Sequence, residues 1–361
     1  MGLKKNTIYR IKRNKQNFIL YLLFSTFVYT EGYWAKYGWE LFENVIDART
    51  ASLGNATTAY NYEWPTTSLN NPIFSSTPSQ RITLSHQSRY AGIFNNDLIS
   101  FPIKRKDKVL QFNILYEGIG QIPDTRSMLL DWGNDGQFGT NDAGEGNGIL
   151  DEGERLDADQ LRFFSQHQIG VHSSFTNSIQ NIPVGIGFKI LSYSLDKYFA
   201  IGVGIDIGII KQVKGTSIGI VTRNLPASGL IWDNGTVEGT TPTVSIGVHR
   251  PLELTKLPLK LHSMFSFDFS TSNRHLDSQL GFGPFSLDGS FGIEGIIKDK
   301  FYIRIGQNEI GNSTGGIGMH WTGFGIDYAF LSSQNNNLGH HHLITLNVEM
   351  DWIKEKLIKL Q

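Results

Sequence analysis

The chain has no cysteine, few charged residues and no long apolar run. Its 361 residues include no Cys, 18% charged side chains and a formal net charge of −1. Without Cys, a disulfide framework, thiol catalysis and Cys-based zinc or iron–sulfur sites are excluded. A net charge near zero argues against a general nucleic-acid binder. A slightly polar mean hydropathy of −0.20 argues against a bundle of transmembrane helices.

Glycine and aromatic residues, by contrast, are abundant. The sequence contains 39 Gly, 7 Trp, 13 Tyr and 23 Phe. This composition with few charges is unusual for a soluble enzyme. It suits a chain of β-strands in which small and bulky side chains alternate, and the length is sufficient for one large all-β domain.

The N-terminus has the features of an export signal. Residues 1–15 carry six Lys or Arg and no acidic residue, and an apolar segment follows at 18–28. This order is typical of a secretory signal peptide, and the apolar segment is short for a transmembrane helix. We therefore predict a signal peptide at residues 1–30, although residues 29–32 lack a clear small-residue cleavage site. The alternatives are an uncleaved anchor and an amphipathic basic helix. Removal of residues 1–30 lowers the net charge from −1 to −7.

Beyond residue 80 the sequence alternates with a period of two. From Phe199 to Ile209 every odd position is large and apolar, whereas the even positions are Ala, Gly or Asp. Side chains of a strand point to alternate faces, so one face is apolar and the other is small or polar. About fourteen segments show this pattern, among them those around Phe112, Phe188, Phe267 and Leu346.

Alternation alone fits either a membrane barrel or a soluble β-sandwich or propeller. Charged residues on the second face, an export signal and the lack of Cys favour the barrel, in which every backbone group within lipid finds a partner. We predict an all-β fold: an outer-membrane, transmembrane β-barrel of about 14 antiparallel strands over residues 81–350. Inward acids and bases, namely Glu117, Asp206, Asp268 and Glu294 with Lys189, Lys260 and Arg304, are expected to pair.

The segment between the signal and the first strand carries a recognisable motif. Its matching positions are Ala48-Arg49, Leu53-Gly54, Ala56, Ser68 and Asn71-Pro72. This order resembles the opening of PorV/PorQ-type outer-membrane proteins, relatives of the FadL long-chain fatty-acid transporters. Residues 291–306 and 323–346 resemble the late hairpins of the same family. The motif departs from the family pattern at Ile73-Phe74, where Ala-Gly is usual.

The resemblance implies both an architecture and a role. Residues 31–80 would form an N-terminal arm, with 46–75 as a small plug inside or under the barrel. The implied function is envelope transport or an accessory role in type IX secretion, with outer-membrane lipid and secretion-machinery or surface proteins as partners, and no enzymatic activity. The alternatives are a FadL-like channel for hydrophobic small molecules, which an apolar lumen would favour, and a non-transporting structural or adhesive barrel. The tail at 351–361 is expected to form a short helix that closes the periplasmic side.

An acidic insertion interrupts the strands at residues 131–159. It contains nine acidic residues and one Arg, so almost all the negative charge of the chain beyond residue 30 lies there. Two adjacent, imperfect frames place oxygen-bearing side chains, a Gly and an apolar residue as calcium loops do. We predict a structural calcium site with the ligands Asp131, Asp135, Asp142, Glu145, Asn147, Asp151 and Glu154. The alternative is a soluble loop in which Gly, Asn and Asp only make turns.

Three consecutive histidines at 340–342 also suggest a metal site. Successive residues of a strand point to opposite faces, so at most two of them share one ion. Histidines at the mouth of the barrel are the interpretation that we favour.

Overall fold

The computed structural model describes residues 39–44, 47–76, 80–106, 108–254, 258–271, 278–332 and 340–358. The predicted signal peptide, residues 1–30, lies outside these ranges. None of the helices in the described ranges is long and apolar enough to cross a membrane.

Strands make up most of the described chain. In order they are β1 Arg81–Arg89, β2 Phe94–Arg105, β3 Lys108–Asp124, β4 Leu129–Leu130, β5 Arg155–Leu156, β6 Arg162–Ile179, β7 Ile182–Leu195, β8 Tyr198–Val213, β9 Thr216–Trp232, β10 Val237–Thr240, β11 Thr243–Leu254, β12 Leu259–Ser270, β13 Leu280–Phe282, β14 Phe285–Ile297, β15 Phe301–Gln307, β16 Ser313–His320, β17 Phe324–Leu331 and β18 His341–Glu349.

Fourteen of these strands form one closed antiparallel barrel. Each pairs with its neighbours along the chain, and β18 pairs with β1 to close the ring, with Ile82 opposite Val348 and Ser88 opposite His342. Strand β10 pairs with the barrel strand β9, and β13 pairs with the barrel strand β14. Strands β4 and β5 pair with each other in a separate sheet. The predicted all-β barrel of about 14 antiparallel strands is confirmed.

The two faces of the wall differ as the alternation predicts. In β8, Ile201 is 52% exposed and Val203 is 63% exposed, whereas Ala200 and Asp206, which lie on the other face of the strand, are buried. The outer wall is thus apolar and the lumen carries small and polar residues. An apolar exterior around a polar interior is the arrangement of a β-barrel that spans an outer membrane.

The two ends of the barrel differ in the length of their connections. The end that holds Arg81 and Glu349 has short turns, such as 180–181, 214–215 and 298–300, whereas the longest described connections, 125–161 and 233–242, lie at the opposite end. In outer-membrane barrels the short turns are periplasmic and the long loops are extracellular. The acidic insertion therefore lies at the extracellular end.

The N-terminal segment lies inside the barrel and contains three short helices. They are α1 Glu40–Glu43, α2 Ala48–Ser52 and α3 Thr67–Asn70, with a 3₁₀ turn at Pro72–Ser76. The Ala48 N–H donates to the Thr345 hydroxyl of β18 (2.9 Å), and the Asn71 amide donates to the Ile209 carbonyl of β8 (3.4 Å). The segment therefore reaches opposite parts of the wall, and the predicted small N-terminal plug is confirmed.

Glycines in the wall make room for this plug. A Cβ atom at Gly185 would lie 2.0 Å from the Ile73 nitrogen, and one at Gly292 would lie 2.5 Å from the Leu53 carbonyl oxygen. Strand glycines commonly mark close approach of another backbone. Inward glycines thus let the plug backbone touch the strands directly.

The C-terminal tail forms a helix, α4, at Met350–Ile358. Trp352 packs against Phe324, with ring centroids 5.9 Å apart. Phe324 shares the outward side of β17 with Ile326, which is 44% exposed. This contact places the helix beside the periplasmic rim, whereas the sequence predicted a helix that closes the periplasmic side of the barrel.

Candidate functional site: the plug and the barrel lumen

Arg49 is the main anchor of the plug. The Asp47 side chain accepts hydrogen bonds from the N–H groups of Arg49 and Thr50, which caps α2 and fixes Arg49 in its first turn. The Arg49 guanidinium then donates two hydrogen bonds to Glu294 of β14, at 2.8 and 2.7 Å. The Tyr60 hydroxyl donates to the same carboxylate at 2.5 Å. The plug and the wall are therefore joined by a bidentate ion pair.

Glu294 also belongs to a network across neighbouring strands. Arg304 of β15 donates to Glu294 (2.7 Å) and to Asp327 of β17 (2.6 Å), and His320 of β16 lies 2.7 Å from Asp327. Arg49, Glu294, Arg304 and Asp327 are all buried. Within this network, two guanidinium groups thus face two carboxylates. Breaking one buried partner leaves an uncompensated charge, which is strongly destabilising.

Aromatic rings surround the Arg49 guanidinium. Its central carbon lies 4.7 Å from the ring centroid of Tyr62, 5.3 Å from that of Trp64 and 5.0 Å from that of Tyr302. Tyr60, Tyr62 and Trp64 occupy alternate positions of the sequence, and this spacing of aromatic residues is the signal that could have found them. Cation–π contacts add to the ion pair in holding the guanidinium.

A second buried ion pair joins the neighbouring strands β7 and β8 on the lumen side. The Lys189 amine lies 2.8 Å from Asp206, whose second contact is the Asn224 N–H at 3.0 Å. Of the inward acids and bases that were expected to pair, Asp206 thus pairs with Lys189, and Glu294 pairs with Arg304. Lys260 differs from the prediction because it pairs with Asp299 in a periplasmic turn (2.8 Å), where both side chains are exposed.

Glu117 has partners that the sequence did not reveal. Its carboxylate accepts hydrogen bonds from Arg89 of β1, from the Asn96 amide (2.7 Å) and from the Gln168 amide (3.3 Å). Arg89 ends a strand whose inward residues from Thr83 to Gln87 are uncharged, so nothing next to it marked it as a partner. These residues form a polar band across β1, β2, β3 and β6.

An apolar cluster lies beside this polar band. It packs residues next to α1 against inward side chains of five strands: Trp39, Leu41, Leu98, Leu115, Leu191, Ala200, Leu230 and Trp232. The α1 side chains fit against the wall because it carries glycine there: a Cβ at Gly170 would lie 2.9 Å from Leu41, and one at Gly202 would lie 3.1 Å from Trp39. The lumen is thus apolar on one side and charged elsewhere.

The acidic insertion folds around its own backbone. Asp131 accepts hydrogen bonds from the N–H groups of Gly146 (2.8 Å), Asn147 (3.3 Å) and Gly148 (2.7 Å). Glu154 accepts from the N–H groups of Gly133 (2.8 Å) and Asp151 (2.9 Å). The strands β4 and β5 pair at its base.

The other predicted calcium ligands behave in the same way. Asp142 accepts from the Asp135 N–H (2.9 Å), Glu145 accepts from two loop N–H groups, and the Asn147 amide donates to Asp151 (2.6 Å). Within the described ranges, no three His, Cys, Asp or Glu side chains are grouped so that they could hold a metal ion. The structure thus links the seven residues through backbone amides, and calcium binding stays a prediction.

The three consecutive histidines have separate partners. His342 accepts or donates to the Tyr328 hydroxyl at 2.7 Å, His341 contacts the Tyr90 ring and His340 contacts the Phe330 ring. They lie at the extracellular end of β18, at the mouth of the barrel, where the sequence interpretation placed them.

No family model and no curated protein matches the chain. Solved structures with similar folds include the toluene transporter TodX of Pseudomonas putida (11% identity, 88% of this chain and 98% of that chain, TM-score 0.48). Others are the CymD monoaromatic hydrocarbon channel (11%, 84% and 97%, TM-score 0.43) and the outer membrane protein Omp33 of Acinetobacter baumannii (5%, 75% and 97%, TM-score 0.37). The barrel assignment rests on the strand pairing of this chain itself.

Proposed function

We propose that this protein is a plugged outer-membrane barrel with a non-enzymatic role in envelope transport, as an accessory of type IX secretion of the PorV/PorQ kind. The observation that supports this proposal is the position of the motif residues. Arg49 binds Glu294, Asn71 binds the wall at Ile209, and a Cβ at Gly54 would lie 2.3 Å from the Gln307 carbonyl oxygen. The residues that resemble the family are thus the residues that hold the plug.

A fixed plug favours an accessory role over free diffusion. Buried ion pairs and direct backbone contacts join the plug to several strands, so the closed barrel is the stable form of the lumen. The extracellular end meanwhile displays a long acidic insertion, in which Phe138 is 80% exposed. A closed barrel that presents an ordered loop outside the cell suits the docking of a secreted or surface protein.

Capture of partners in the outer membrane tests this proposal. A photo-crosslinking residue at Phe138, with a second at Ile303 on the lipid-facing wall as control, should trap secretion-machinery or surface proteins only from the loop position. Identical capture from both positions, or none from Phe138, would contradict a secretion-accessory role. Purified protein should show no steady conductance in planar bilayers.

The apolar cluster at Trp39, Leu41 and Leu115 favours a second candidate, a channel for hydrophobic small molecules. Its buried side chains give the lumen an apolar lining where they pack against the start of the plug segment. Uptake of toluene into vesicles that hold the protein tests this candidate, with Leu115→Asp as the variant that should abolish uptake. The channel candidate fails if vesicles with and without the protein take up toluene at the same rate.

A further inference from the structure

The outer wall of the barrel contains a groove where the ring closes. A cavity of about 460 Å³ lies along β18, β1, β2 and β3. Its floor is aliphatic, with Leu84, Ile99, Ile114 and Leu346. The stacked rings of Phe101 and Phe112, 5.9 Å apart, continue the wall on the periplasmic side of Ile99 and Ile114.

One end of the groove is polar. The His86 imidazole and the Asp97 carboxylate lie directly opposite each other on β1 and β2, 2.8 Å apart. Both side chains are more than half exposed on the outward side. An ionisable pair on the lipid-facing side of a barrel is costly unless it serves a purpose or meets a polar group.

The polar pair also leaves acceptor capacity unused. Asp97 engages His86 through one carboxylate oxygen, and within the described ranges its second oxygen accepts no hydrogen bond. The neighbouring Tyr116 hydroxyl is engaged with His167 (2.9 Å). The group that fits this end therefore carries an N–H or O–H donor.

The groove has a direction with respect to the membrane. Leu84 precedes His86 on β1, which runs toward the extracellular end, and Ile99 follows Asp97 on β2, which runs back. Ile114 likewise precedes Tyr116 on β3. The aliphatic floor thus lies on the periplasmic side of the polar pair, which is the orientation of a lipid of the outer leaflet, with its headgroup toward the outside.

We propose that this groove is a binding site for an outer-leaflet lipid, whose headgroup donates a hydrogen bond to Asp97 and whose acyl chain lies on Leu84, Ile99 and Ile114. The occupant is a lipid because the groove is continuous with the apolar outer wall, for example with Ile169 of β6, which is 50% exposed and lies opposite Tyr116. The site depends on the placement of the barrel in a membrane. It is independent of what the lumen or the extracellular loop does.

Two phospholipids with identical acyl chains separate headgroup recognition from general adhesion. Phosphatidylethanolamine carries ammonium N–H donors, whereas phosphatidylcholine carries none. Native mass spectrometry of the full mature chain, released from mixed micelles with equal amounts of both lipids, should show about fivefold more bound phosphatidylethanolamine, the scale of one ordinary net hydrogen bond. Asp97→Leu should remove the preference, and Leu84→Trp should remove the bound lipid by filling the floor.

Ile303→Trp, on the lipid-facing side of β15, is the matched control and should change neither result. A heat-dependent gel shift shows that each variant is folded before it is compared. Equal retention of the two lipids by the unmutated chain, or an unchanged preference in Asp97→Leu, would overturn the proposal. Partner capture at Phe138 is unaffected by either outcome, so failure here leaves the proposed secretion role separately testable.

Discussion

Charged residues are concentrated in two regions of this molecule, and their carboxylates have different partners in the two. In the lumen, carboxylates such as Glu294 are buried and meet cations that come from distant parts of the chain, as Arg49 does from 245 residues away. In the extracellular insertion, carboxylates such as Asp131 are only partly buried and meet N–H groups of their own loop. The first region pairs charge with charge, whereas the second pairs charge with backbone dipoles.

The difference assigns different work to the two regions. Buried pairs are sensitive to the loss of one partner, because the remaining charge has no water to replace it. Carboxylates in an exposed loop keep water as an alternative partner, so single losses are mild. The lumen network is therefore suited to hold a plug in one place, and the loop is suited to change with its surroundings.

Loss of the Glu294 charge gives the largest expected effect. Glu294→Gln leaves Arg49 and Arg304 facing Asp327 alone, which we expect to lower the free energy of unfolding by about 3 to 5 kcal/mol and to loosen the plug. The temperature of the heat-dependent gel shift measures the first effect, and single-channel conductance measures the second.

Glu349→Gln is the matched control for this substitution. It removes a carboxylate that pairs with Arg81 at 2.5 Å near the periplasmic rim, where both side chains are partly exposed. The loss should be below about 1 kcal/mol. Equal losses in the two variants would show that the lumen network does not hold the plug.

A Cβ atom where the plug backbone touches the wall gives the next largest effect. Gly185→Val places its side chain on the backbone of Pro72 and Ile73, 2.0 Å from the Ile73 nitrogen. Overpacking of this kind costs about 1 to 3 kcal/mol and should displace the 3₁₀ turn of the plug. Limited proteolysis of the plug segment reports the displacement. Gly120→Val, where a Cβ meets nothing within 4 Å, should leave the cleavage pattern unchanged.

The contrast between the two regions also marks what sequence can predict. The period-two alternation specifies strands one at a time, so the barrel and its strand number follow from local pattern. The pairing of Glu294 with Arg304 follows from two neighbouring strands. The contact of Glu294 with Arg49 does not, because it depends on where an N-terminal segment crosses the lumen. The contact of Arg89 with Glu117 does not follow either, because it joins β1 to β3 past the strand β2 that lies between them.

The acidic insertion shows the converse limit. Its composition predicts calcium ligands, while the arrangement of Asp131 and Glu154 depends on which backbone N–H groups the turns present. Calorimetric titration with calcium should give a binding heat that Asp151→Ala reduces severalfold, and protease resistance of the loop should rise with calcium. The gel-shift temperature of the barrel should hardly change. A titration without heat would leave the insertion as a loop ordered by its amides alone.

Glu309 lies in an extracellular turn and contacts the plug, and its substitution gives the smallest expected effect. Its carboxylate accepts hydrogen bonds from the Asn55 amide of the plug at 3.3 and 3.1 Å, in an extracellular turn. Burial raises the pKa of Glu309, so the ionised form is costly in the folded state and the cost disappears as the pH falls through that raised pKa. Glu309→Gln should therefore stabilise the folded protein by less than about 1 kcal/mol at neutral pH, which would raise the gel-shift temperature slightly. In acid the native side chain is already protonated, so the substitution should leave the gel-shift temperature unchanged. A loss of stability at neutral pH would instead mean that the charge itself holds the plug, as in the Glu294 network.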